Sequence, residues 1–168
     1  PLFGIRDLTQ IHIFDHNNPP PVSLEGMPCI HTAPSLRKVG DKWEKICVGT
    51  TTSTRMDRFT PGLIGQYGVR AIIGKGGLYQ GSLDAMQKYG AVYLAIVGGA
   101  AALETEQIEE VEAVYFEELH PEALYRFRVK NFGPLTVAMD SHGVHLYDQV
   151  TENVKKKLPE IYAKLGVL

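Results

Sequence analysis

From residue 69 onward, short β-branched runs alternate with helical patterns, and glycines punctuate the joins. That alternation limits the chain to β–α units joined into a largely parallel sheet, the α/β class. Residues 69–73 form an apolar run halted by Gly74, Gly76 and Gly77, as for a buried strand ending in a tight turn. A helix follows, with Ser82 as its N-cap, Leu83 and Met86 on one face, and Gly90 as its left-handed terminal residue. Residues 91–97 read as the next strand, closed by Gly98 and Gly99. The pattern then predicts a helix over 100–111, a strand over 113–116, a short helix over 121–127 and a strand over 135–139. In the last segment, 151–165, Val154, Leu158, Ile161 and Leu165 recur at helical spacing, and Pro159 is expected to kink or split the helix. This helix is expected to pack and to carry no chemistry. In the first third, Pro19, Pro20 and Pro21 rule out regular structure, and 27–32 and 45–50 read as strands around the polar stretch 37–41. No repeat divides the chain, and 168 residues fit one domain, 1–168.

Composition narrows the function classes. The 17 Lys and Arg against 19 Asp and Glu leave a formal charge of -2, so no basic surface offers itself to DNA or RNA. The apolar run at 91–97 falls short of the ~20 residues a bilayer crossing needs. Two cysteines, Cys29 and Cys47, cannot form a disulfide framework in a chain this long; both read as buried thiols in a reducing, cytoplasmic setting. The opening at Pro1, followed closely by Arg6 and Asp7, leads us to expect that an N-terminal piece is missing.

Two segments could carry chemistry: Gly49-Thr50-Thr51-Thr52-Ser53-Thr54-Arg55-Met56-Asp57 and Ile72-Ile73-Gly74-Lys75-Gly76-Gly77. Each follows an apolar strand. Hydroxyls, backbone N–H groups and an arginine at a strand end suit an anion, because the guanidinium grips a carboxylate in a fork while hydroxyls and amides fill the other lone pairs. Ligands of open α/β sheets bind at such strand ends. Glycines flanking Lys75 let backbone approach a ligand. The plainer readings are a solvated turn for the first segment and a loop tip for the second. Phosphate motifs fit less well. Gly76 follows Lys75 where a P-loop needs Ser or Thr, and Tyr79 stands where the dinucleotide fingerprint needs its third glycine. His12 and His16 are four apart, but Ile13 occupies the place of the zinc-protease glutamate, so exposed histidines near a chain end are the plainer reading.

Together, T-T-S-T-R-M-D, I-G-K-G-G and the later A-V-Y-L-A-I-V-G-G-A-A-A-L resemble the β-type subunit, or C-terminal domain, of class I fumarases and L-tartrate dehydratases. The resemblance covers most of the chain and is most specific over 48–103, with P-L-T-V-A-M-D agreeing further on. It implies a swivelling β/β/α-type domain and a hydro-lyase that adds or removes water on a small dicarboxylate. It also implies a [4Fe–4S] cluster held by three cysteines of an α-type partner, whose iron takes the substrate hydroxyl. Two cysteines here cannot supply three thiolates. By the same resemblance, Arg6, Arg55 and Lys75 would clamp the carboxylates beside Gly76, Thr52 would donate a hydrogen bond, and Thr51 would stand near the proton that moves. No metal ligand falls on this chain. Arg6-Asp7-Leu8-Thr9-Gln10 resembles the family's R-D-x-x-H, with Gln10 in place of histidine. Gln10 cannot exchange protons, which implies altered substrate choice, an acid supplied elsewhere, or an inactive relative. The alternative reading is a non-catalytic dicarboxylate-binding or regulatory protein of the same family; self-association of the isolated chain is compatible with both.

Overall fold

In the computed structural model, which describes residues 1–97, 99 and 101–167, seven strands form one sheet in the order β7-β8-β1-β2-β5-β6-β9. They are β1 (Leu2–Ile5), β2 (Pro28–His31), β5 (Ala71–Gly74), β6 (Val92–Ala95), β7 (Ile108–Tyr115), β8 (Leu124–Val129) and β9 (Thr136–Met139). The central neighbours β1, β2, β5 and β6 pair in parallel, and β8 and β9 run antiparallel to them. Because β7 is antiparallel to β8, five of the seven strands point the same way. A separate hairpin, β3 (Ser35–Val39) with β4 (Lys42–Cys47), completes the β structure among the described residues.

The strand register explains the layering. Phe3, Cys29, Ile72, Tyr93 and Met139 lie side by side across five strands. All five are buried, in one core with Ile13 of α1 (Asp7–Phe14), Leu63 and Ile64 of α2 (Thr60–Gly65), and Leu83 and Met86 of α3 (Gln80–Tyr89). Alternation sends the next residues to the opposite face, where Ile30 and Ile73 join Leu2, Val48, Ile108, Tyr125 and Phe127. The hairpin and α4 (Ala101–Gln107) cover that side. The layers thus run β/β/α. Burying each Leu, Ile or Phe contributes about 1.5–3 kcal/mol, so these two rows supply much of what holds the sheet.

Several expectations stand, with small shifts of boundary: the strands at 27–32, 69–73, 91–97 and 135–139, the shared face of Leu83 and Met86, and the left-handed Gly90 at φ 73°. The closure at Gly98 and the helix start at Ala100 fall outside the described residues. Others need correction. Ser82 is no N-cap; it lies inside α3, which starts at Gln80, and its hydroxyl donates to Asp57 Oδ1 at 2.6 Å. The polar stretch 37–41 is largely strand, because β3 needs a partner and Arg37 and Lys38 pair with Glu44 and Trp43 across the hairpin. The helix over 100–111 ends at Gln107, and 108–111 belong to β7, whose pairing with β8 satisfies backbone that a helix there would strand at the sheet edge. Residues 124–127, expected to be helical, are β8. Its period-two pattern carries the reason: Tyr125 and Phe127 are buried while Arg126 and Arg128 face outward to glutamates of β7. The last helix, α5 (Leu146–Leu165), runs unbroken through Pro159, ends at left-handed Gly166, and buries no residue. Cys29 is buried, and burial pushes its thiol up to about 12, whereas Cys47, the last residue of β4, is exposed.

Candidate functional site

The parallel strands β1, β2, β5 and β6 deliver their C-terminal ends to one edge of the sheet, and the sequence places Arg6, Thr32, Lys75 and Ile96 immediately after them. The segment following Val48 lies across that edge. Thr50 bridges to Thr32, Thr51 N–H donates to the His31 carbonyl at 2.7 Å, Thr52 bridges to Lys75, and Ser53 N–H donates to the Lys75 carbonyl at 2.8 Å. The two segments singled out in the sequence are therefore stitched together by backbone hydrogen bonds. Gly76 and Gly77 both adopt left-handed conformations, at φ 81° and 76°, where a side chain would be strained. A Cβ on Gly77 would also stand 2.7 Å from the Tyr147 ring.

The cations at this edge are not equivalent. Arg55, at the start of the 3-10 helix Ser53–Phe59, reaches Asp7 Oδ2 at 2.8 Å. Arg6 Nε lies 3.2 Å from the same oxygen and 3.4 Å from Glu122 Oε1. Glu122 is held in turn by the Leu8 N–H at 2.9 Å, and its carbonyl accepts from the Thr9 hydroxyl. Asp7 is thus the hub of an Arg6–Asp7–Arg55 triad at the first turn of α1, where the helix dipole favours a negative charge. Lys75 is half-buried and makes no ion pair or side-chain hydrogen bond among the described residues. Thr51 and Thr52 are half-buried, and Gly76 is exposed.

Beneath the threonines is a polar chain that sequence spacing did not reveal. Gly77 N–H donates to the Tyr93 hydroxyl at 3.3 Å, Tyr93 donates to Ser53 Oγ at 3.0 Å, and Ser53 Oγ lies 2.9 Å from His31 Nδ1. Read in that direction, every hydroxyl both accepts and donates, so Nδ1 is the acceptor and Nε2 carries the imidazole proton. His31 is fully buried, and its Nε2 has no partner among the described residues. Burial holds it down to about 4, partly offset by Asp7 and reinforced by Arg55, so it is neutral at neutral pH. Burial likewise pushes Tyr93 up to about 12. The chain fixes the backbone that presents Thr51 and Thr52. Its only sequence trace is that His31, Ser53 and Tyr93 sit in or beside apolar strands where an unpaired polar group would be costly.

Gly74 makes room for this chain, since a Cβ there would fall 1.9 Å from Ser53 Oγ. Gly74→Ala will therefore evict the hydroxyl and break both of its hydrogen bonds. A loss of about 1–3 kcal/mol is expected in urea unfolding, and Ser53→Ala in the same background will recover part of it. Equal stabilities of wild type and Gly74→Ala would refute the packing argument.

Other candidates lie elsewhere. His12 packs edge-on against Phe116 with ring centroids 4.6 Å apart, and His16 is exposed. Gln10 is fully buried in α1, and neither amide atom has a partner among the described residues. Cys29 and Cys47 are on different strands, one buried and one exposed, and among the described residues no group of three or more His, Cys, Asp or Glu is placed to hold a metal ion. The side chains of this chain do not fit an iron–sulfur cluster.

Comparison with known proteins places these features in a family. The model of the fumarase C-terminus matches residues 4–150. The L(+)-tartrate dehydratase subunit beta of Escherichia coli K12 is 41% identical over 155 residues, spanning 92% of this chain and 76% of that protein. A putative L(+)-tartrate dehydratase subunit beta of Methanocaldococcus jannaschii is 41% identical over 165 residues, 95% of this chain and 85% of that protein. A putative class I fumarate hydratase of Geobacillus stearothermophilus is 37% identical over 157 residues, 92% of this chain but 30% of that longer protein.

Proposed function

This chain belongs to the fumarase C-terminus family, and on that footing we propose that it is the β-type subunit of a hydro-lyase acting on a small dicarboxylate such as tartrate, malate or fumarate. The observation that carries the reading is the joining of the Thr51–Thr52 and Lys75–Gly76 segments at the C-terminal ends of the parallel strands, beside Arg6 and Arg55. Lys75, half-buried and without a counter-ion in hydrogen-bond contact among the described residues, is the cation best placed to take a substrate carboxylate. Arg55 and Arg6 present their remaining N–H groups around Asp7, Thr52 donates to the second carboxylate, and Thr51 stands nearest the proton that is removed. Removing a proton beside a carboxylate builds further negative charge on that group. Fixed cations and backbone N–H groups stabilise that charge most where water is excluded.

The iron–sulfur cluster belongs, in this reading, to an α-type partner subunit, and the active site is completed when that subunit covers the strand ends. The cytoplasm is the compartment such a cluster suits. Co-expression with a cysteine-bearing α-type subunit, anaerobic reconstitution and a panel of tartrate, malate and fumarate provide the test. The purified chain alone will be free of iron and inactive, and the reconstituted pair will turn over at least one of the three. Turnover by the iron-free chain alone would overturn the two-subunit mechanism. Binding without turnover by the pair would favour the non-catalytic reading, in which the buried Gln10 replaces a proton-exchanging residue.

A further inference from the structure

Glu104 is a buried carboxyl that nothing in the fold obliges to be there. It is 2% exposed, and neither carboxyl oxygen has a hydrogen-bond partner among the described residues. Native interiors rarely leave such a group unpaired, and each exception calls for a reason. Its place is fixed, because α4 is pinned on both sides. Val48 N–H donates to Thr105 Oγ1 at 2.8 Å, Lys45 Nζ donates to the Thr105 carbonyl at 2.6 Å, and the Gln107 amide clasps both backbone groups of Gly133. Val48, which Thr105 holds, leads within four residues to Thr52, whose backbone bridges to Lys75.

We infer that Glu104 is the internal counter-charge of Lys75, and that a carboxylate arriving at Lys75 is accompanied by uptake of one proton onto Glu104. The inference rests on the reading above in which Lys75 takes a substrate carboxylate. With the site free, the lysine offsets part of the cost of ionising Glu104. A ligand carboxylate withdraws that help and adds a second negative charge nearby, so the buried group is neutralised from solvent. Two carboxylates competing for one ammonium cannot both stay charged at low cost.

The surroundings support this pairing. Burial raises the Glu104 carboxyl to about 7, and the charge of Lys75 pulls it part of the way back down. The elements packed on α4 bring other ionisable groups, but these are engaged or exposed. On β4, Lys45 is bound to the Thr105 carbonyl, Glu44 is paired with Arg37, and Lys42 and Cys47 are exposed. On β7, Glu109 and Glu110 face Arg128, and Glu112 faces Arg126. Glu106 of α4 itself is exposed.

The experiment is calorimetric titration of the reconstituted two-chain complex with tartrate and fumarate, at several pH values and in buffers of different ionisation enthalpy. Wild type will take up close to one proton per ligand above pH 7, and its Kd will rise by up to ~10-fold per pH unit there. Glu104→Gln, neutral at every pH, will bind without proton uptake and will be tighter than wild type at pH 8. Binding by wild type with no proton uptake, or proton uptake that persists in Glu104→Gln, would overturn the inference while leaving the Lys75 reading intact. If neither ligand binds wild type, the Lys75 reading fails, and carbon-13 NMR of labelled glutamates in the full chain decides the pairing alone. The Glu104 carboxyl will then titrate near neutrality and move upward in Lys75→Met. An ordinary carboxylate titration, or one indifferent to Lys75→Met, would overturn it.

Discussion

Lys75→Ala will lower turnover of the two-chain complex by about 100- to 1,000-fold while leaving the chain folded. The three cations at the strand ends differ in what already holds them, and that difference sets the ranking. Arg6 and Arg55 share Asp7, and Arg6 also faces Glu122, so each arrives at a ligand partly neutralised. Lys75 hydrogen-bonds no carboxylate among the described residues, and its backbone is fixed by the Thr52 bridge and the Ser53 N–H. On the proposed reading, removing it leaves the developing charge of the transition state without its nearest compensation. Arg55→Lys loses the forked geometry but keeps a charge near Asp7, so a smaller loss is expected. Steady-state kinetics paired with thermal melts separate the effects: Lys75→Ala should melt close to wild type. Undiminished turnover in Lys75→Ala would remove Lys75 from the site, and a collapse of the melting temperature would reassign it to a structural role.

Glu104→Gln will unmask an acid-side loss of roughly 3 kcal/mol that the wild type conceals. His31 is held down to about 4 from its usual 6.5, so the folded state excludes a proton that the unfolded state binds. The stability it supports is present above pH 6.5 and is lost as pH falls toward 4. Glu104 is raised to about 7 from its usual 4.5, so the folded state holds a proton that the unfolded state releases. Its contribution is full below pH 4.5 and is lost as pH rises toward 7. The two windows overlap almost completely with opposite signs, and each shift corresponds to roughly 3 kcal/mol. The wild type should therefore vary little between pH 4.5 and 6.5 from these two groups. In Glu104→Gln the His31 slope remains alone. Urea unfolding of both proteins at several pH values gives the comparison, in which exposed carboxylates such as Asp15 and Glu117 act alike on each. Parallel stability curves would show that Glu104 titrates normally, and a flat curve in Glu104→Gln that His31 does.

Both expected results concern groups whose significance depends on a partner far away in the chain. Asp7 and Arg55 are 48 residues apart, His31 and Ser53 are 22 apart, and Ser53 and Tyr93 are 40 apart. The same holds for the elements read wrongly. Residues 121–127 carry a proline and a short apolar run that locally permit a helix, yet β8 forms because β1 and β7 both need a neighbour. Residues 108–111 continue a helical spacing, yet they pair at the sheet edge. The closing helix has the right spacing to pack, but Val150, Val154, Ile161 and Leu165 are all exposed.

The sequence by itself determined the α/β class, three of the four parallel strands, two of them with their glycine stops, and the two strand-end segments that carry Thr51, Thr52, Arg55 and Lys75. Those features are local: a run of β-branched residues, a glycine needed for a turn, and a hydroxyl or cation placed next to a strand end all show within a few residues. Only the tertiary structure decided which strands flank the parallel core, that Asp7 binds both arginines, and that Glu104 is buried without a hydrogen-bond partner among the described residues. These outcomes are set by which surfaces and charges meet across the fold. The energy of such a meeting depends on burial and distance, and neither quantity is carried by spacing along the chain.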